Sequence, residues 1–168
     1  MRLEEGEMPK RMKITFEKGG ELEAEFLEDK APVTSRIFWK ALPIDATMIH
    51  CMSAGHETYT DDIRVSEPIP EENLVHAGKV GDVATVSGRQ TTYLTQLEAD
   101  GMTTLCFVYG PDQRFMGTNV QTNRATVFAT IRDLKKLREI GHRMRIHGKE
   151  KVKMIPIEDK SEAAKWRK

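Results

Sequence analysis

The sequence predicts a mainly β single domain carrying two helices, on three observations. Segments with strand-like, period-two alternation recur along the chain, turns marked by Gly and Pro separate them, and only two stretches carry helical spacing. The 168 residues suit one domain, and at that length folding buries most of the surface the unfolded chain exposes. Hydrophobic residues make up 39% and charged residues 31%, a polar balance that still supplies a folded core.

Taken in order, residues 1–11 form an N-terminal arm, 12–157 the folded domain and 158–168 a loose or frayed tail. Residues 12–26 read as a hairpin: Ile14 and Phe16 alternate with polar residues, Gly19-Gly20 turns the chain, and Leu22, Ala24 and Phe26 continue the alternation. Helix one spans residues 32–41, with Pro32 at its start, Ile37, Phe38 and Ala41 at helical spacing, and Pro43 as its stop. Strands follow at 45–52, 57–65, 83–86 and 103–109, the last an apolar run. Residues 87–101 fit either two short strands around a turn or a lid over a site. A strand at 125–131 leads into a second helix through Leu134, Leu137 and Ile140, with Gly141 placed as its C-terminal cap. Met144, Ile146, Val152 and Met154 then alternate in a final strand.

Charge excludes several partner classes. Lys plus Arg equals Asp plus Glu at 26 each, so no overall field favours nucleic acid or an anionic membrane. Residues 142–168 carry nine Lys or Arg against four acids, which reads as a solvated basic terminus. The first residues place acids and a Pro where a secretory signal needs an apolar run, so a cytoplasmic setting is expected. Cys51 and Cys106 lie in apolar stretches without CxxC spacing and read as buried thiols. No metal, nucleotide or other cofactor is expected: His50 and His56 have no third ligand at metal spacing, and SGRQTT and KVGDV match no phosphate-binding loop.

The order hairpin, helix, strands, late helix and closing strand resembles that of cyclophilins, closed β-barrels whose two helices cap the ends. Asp29, Ala31, Pro32, Thr34 and Phe38 resemble the cyclophilin pattern D-x-A-P-x-T-x-x-x-F. The stretches MKITFEKGGELEAEFLEDKAP, AGHETYTD, VGDVATV, LCFVYGPD and RATVFATIRDLKKL are similar to an uncharacterised bacterial and archaeal family of cyclophilin-like proteins of unknown function. The likeness covers about residues 12–154 and implies the closed barrel. Cyclophilin isomerases carry F-H-R-x-I-x-x-F-x-x-Q-G-G after the first helix, whereas IDATMIHCMSAGHETYTDDIRV stands here, without Phe or Gln and with no Arg before Arg64. The resemblance therefore carries over no isomerase centre, because the reaction needs a positioned donor.

Two concentrations of reactive side chains remain. Alternation puts Glu57, Tyr59 and Asp61 on one strand face and His56, Thr58 and Thr60 on the other. Tyr109 ends the most apolar strand, and Arg114 follows its Gly110-Pro111 turn, where a guanidinium suits a carboxylate or amide ligand. The expected site is one cavity at the barrel mouth lined by His56, Glu57, Tyr59, Tyr93, Tyr109 and Arg114, with Glu57 and Arg114 close together. It would bind a small polar metabolite or a short peptide. The alternative is an enzyme acting on an amide-like or carboxylated metabolite, with Glu57 or His56 as base and Arg114 as anchor. Self-association is expected from Trp39 and its apolar neighbours.

Overall fold

The computed structural model describes residues 8–87, 91–116 and 122–158. Residues 1–7 of the arm and 159–168 of the tail lie outside them. Nine strands and three helices are described: β1 (Arg11–Phe16), β2 (Glu21–Phe26), α1 (Pro32–Ala41), β3 (Ile44–His50), β4 (Glu57–Arg64), β5 (Leu74–Val75), β6 (Asp82–Thr85), α2 (Thr92–Ala99), β7 (Met102–Val108), β8 (Ala125–Ile131), α3 (Leu134–His147) and β9 (Glu150–Ile157).

Eight strands close antiparallel in the order β2-β1-β9-β3-β4-β7-β6-β8, with β8 returning to β2 through Ala24↔Ile131 and Phe26↔Ala129. The short β5 pairs with the other end of β8. The expected closed barrel is thus the observed one, and closure leaves the eight strands no long free edge. Alternation along β1 and β2 sends Met12, Ile14, Phe16, Leu22, Ala24 and Phe26 inward.

The interior cluster is plugged by α1 through Ile37 and Phe38 and by α3 through Leu137, Ile140 and Met144. Phe38 stacks on Phe128 at 4.1 Å. The first turn of α1 starts at Pro32 with no side-chain cap of its own. Glu72 supplies one from the loop before β5, accepting from the Val33 and Thr34 amides and the Thr34 hydroxyl.

Several expectations change. Of residues 87–101, expected as two strands or a lid, 88–90 lie outside the described residues and 92–99 are a third helix over a cavity on the outer wall, with Thr91 accepting from the Leu94 amide as its N-cap. Its Leu94 and Leu97 join Ala84, Cys106, Val108, Phe115 and Val127 in a second cluster. Along β7, Leu105, Phe107 and Tyr109 belong to the interior cluster while Cys106 and Val108 belong to this second one, which therefore lies on the outer wall. Gly141 does not end α3. The helix runs on through Met144 and Ile146 to His147, and Gly148, at φ +83°, is its C-cap. The final strand accordingly starts at Glu150. Arg143 and Arg145 of the basic stretch lie on α3, and Lys151 and Lys153 on β9.

Trp39 meets Phe26 edge-on at 5.8 Å, and the Lys10 ammonium lies 5.8 Å from its ring. Part of the apolar surface behind the expected self-association is taken up within the chain. No described helix is long and apolar enough to cross a membrane.

Candidate functional site

Outward-facing residues of β4 and β7 build the site. Glu57 pairs with Val108 and Tyr59 with Cys106, so their side chains share the outer face of the barrel wall. The second cluster covers this face, and between wall and cover lies a cavity of about 150 Å³. Cys51, Glu57, Tyr59, Asp61 and Cys106 line it from the strand side, and Tyr93, Leu94, Phe115, Met116 and Asn123 from the cover.

Glu57 is the buried carboxyl at this cavity, with 4% of its surface exposed. Gln113, itself buried, donates its amide to Glu57 Oε2 at 2.6 Å and accepts the Gly78 amide at 2.6 Å through Oε1. The Cys106 thiol adds a second hydrogen bond to Glu57. Burial raises the Glu57 pKa from the ordinary 4.5 to about 7, against the opposing pull of the Gln113 and Cys106 hydrogen bonds. Desolvation therefore wins, leaving the ionised form disfavoured by about 3 kcal/mol relative to water. Burial, with Glu57 nearby, also raises the Cys106 and Cys51 thiols, so both stay protonated near neutrality.

At the rim, the Tyr93 hydroxyl donates to the Asp61 carboxylate. That bond first, then burial, raises the Tyr93 phenol, while burial and the charge of Asp61 raise Tyr59. Among the described residues, no group of three or more His, Cys, Asp or Glu could hold a metal ion.

Three of the six expected residues, Glu57, Tyr59 and Tyr93, meet here, but the cavity is on the outer wall and not at the barrel mouth. Tyr109 and His56 face the other way. The Tyr109 amide donates to the His56 carbonyl, placing the pair one residue out of phase with Glu57 and Val108. The Tyr109 hydroxyl bonds His50 Nε2 at 2.6 Å, and His56 Nδ1 donates to the Pro111 carbonyl. Both line a separate cleft against α3, with Arg138 and His142. Arg114 is exposed and lines neither cavity, whereas Gln113 beside it points inward to Glu57. The close Glu57–Arg114 pair is thus corrected to Glu57–Gln113.

Gln113, Phe115, Cys51 and Cys106 were not foreseen at the site. Cys51, read as buried, is only half-buried and lines the cavity. Asp61 was signalled by its shared strand face with Glu57 and Tyr59.

Residues 14–155 match the family described as "Protein of unknown function (DUF3830)". No functionally curated protein matches the chain. The solved structures that share the fold include two of particular note. One is the structure of McbB in complex with tryptophan, with a TM-score of 0.60 and 15% identity over 86% of this chain and 44% of that one. The chain thus spans under half the length of McbB. The other is the solution structure of the hypothetical protein AF2241 from Archaeoglobus fulgidus, with a TM-score of 0.53 and 24% identity over 91% of this chain and 98% of that one.

Proposed function

The chain belongs to the DUF3830 family of unknown function, and from its pocket we propose that it binds a small organic molecule on the outer barrel wall, with Glu57 giving or taking a proton there. The observation that carries this reading is a carboxyl 4% exposed, with a pKa near 7 and no ion partner among the described residues. Burying such a group without an ionic partner costs stability. A cavity of about 150 Å³ suits a molecule with roughly one aromatic ring, since cavities near 150 Å³ accept benzene. McbB, which shares the barrel, is known in complex with tryptophan, a small aromatic metabolite. A short peptide fits less well, because the cover over the β4–β7 wall closes what would be an extended groove.

The pKa of Glu57 also favours a second reading, an enzyme that moves a proton on its substrate, since a general acid or base works best with a pKa near the working pH. Prolyl isomerisation is not part of either reading, because the segment after the first helix lacks the arginine that would supply the positioned donor.

A thermal-shift screen of small organic molecules tests the proposal, because a ligand of the native state raises its melting temperature. Ligands should perturb NMR resonances of Glu57, Tyr59 and Cys106, and those that exchange a proton with Glu57 should lose affinity in Glu57→Gln. Ligands that instead map to the His56–Tyr109 cleft would refute the site.

A further inference from the structure

We propose that the occupant of this pocket is a small organic cation, an apolar or aromatic amine whose ammonium sits against Glu57, and that the pocket disfavours anions. The inference rests on the pocket being the binding site and adds the charge of its occupant.

Charge inventory is the first ground. Among the described lining residues two are carboxylic acids, Glu57 and Asp61, and none is Lys, Arg or His. Among the described lining residues, a bound carboxylate or phosphate would meet two acids and only neutral donors, such as the Tyr59 hydroxyl and the Asn123 amide. Arg114, expected to anchor such an anion, is exposed and lines neither this pocket nor the His56–Tyr109 cleft.

The second ground is the state of Glu57. Its described partners, the Gln113 amide and the Cys106 thiol, are both neutral, so the carboxyl lacks the counter-charge that buried acids normally have. An ammonium would supply it. Tyr59, Tyr93 and Phe115 frame the same cavity, and aromatic faces favour a desolvated cation electrostatically. With its pKa near 7, Glu57 is largely protonated at pH 6, so an ammonium that docks against the ionised form must drive a proton into solvent.

The probes are phenethylamine, hydrocinnamamide and hydrocinnamate, which share a ring and a short arm and carry positive, zero and negative charge. Affinities come from NMR titration of the pocket amides, and proton release from calorimetry at pH 6 in two buffers of different ionisation enthalpy. The amine should bind at least about tenfold more tightly than the amide, with the carboxylate weakest, and should release protons. Glu57→Gln should weaken the amine about tenfold or more and leave the amide within about twofold. If Glu57→Gln does not fold, the native chain provides the comparison: amine affinity should fall about tenfold or more from pH 8 to pH 5, as Glu57 takes up its proton, while amide affinity stays within about twofold. Equal affinity for amine and amide, or tightest binding of the carboxylate, overturns the charge inference and leaves the pocket standing. Absence of binding by all three overturns both.

Discussion

At Glu57, a single carboxyl links stability to pH. Its pKa is about 7 in the folded chain against an ordinary value of 4.5, so the folded state binds the proton more tightly than the unfolded one. The resulting stabilisation is complete below about pH 4.5 and is lost as pH rises through about 7. Urea unfolding across this window should show the native chain losing about 3 kcal/mol relative to Glu57→Gln, whose site does not titrate. Gln113→Ala should act in two ways. It removes a bond that lowers the Glu57 pKa, so Glu57 should titrate above its native midpoint. It also orphans the Gly78 amide, at a cost of about 1–3 kcal/mol measurable by the same unfolding experiment. Alternation made the shared face of Glu57, Tyr59 and Asp61 legible in the sequence. It could not say which face was outside, because β7 is buried on both sides and both parities of LCFVYG are apolar. Arg114 drew attention by its charge, while the uncharged Gln113 one position earlier carried the inward parity.

Gly141 shows how an element is fitted to its neighbour. In a helix interior Gly costs about 1 kcal/mol relative to Ala, so a sequence reading naturally ends the helix there. The structure gives another reason for the glycine: the Tyr109 ring occupies the space a Cβ would need. Gly141→Ala should therefore destabilise despite its better propensity, by about 1–3 kcal/mol, with a lower melting temperature as the readout. If it stabilises, the close ring contact is wrong. The 12–26 hairpin, α1 and β8 were legible because each couples a clean period to its own turn or Pro signal. Helix α2 was not, since TYLTQLEA is short and Thr-rich and owes its place to Leu94 and Leu97 packing on the outer wall.

For the whole molecule, closure depends on strands and helices far apart in sequence, and one ion pair joins several of them. Glu150 is fully buried at the start of β9. Arg143 of α3 donates to it from Nε at 2.9 Å and Nη2 at 2.8 Å, and also to the Gly19 carbonyl in the β1–β2 turn. The Lys18 amide adds a further donor. Arg143→Ala leaves a buried charge without its partner and should cost about 3 kcal/mol or more, read from the urea midpoint. A surface-like loss below about 1 kcal/mol would show that the cluster does not hold the barrel together. From the sequence, Arg143 and Glu150 counted only within a basic terminal stretch. Their pairing needs the turn at Gly148, which brings the end of α3 back onto β9.

The central claim is that Glu57 is a buried, neutral-range acid in a ligand pocket, and its own titration tests that most directly. Carbon-detected NMR of the Glu57 side-chain carboxyl should give a midpoint near 7 in the ligand-free protein. A midpoint near the ordinary 4.5 would contradict it, because a carboxyl that titrates like a solvated one is not held in the desolvated pocket from which the binding reading follows.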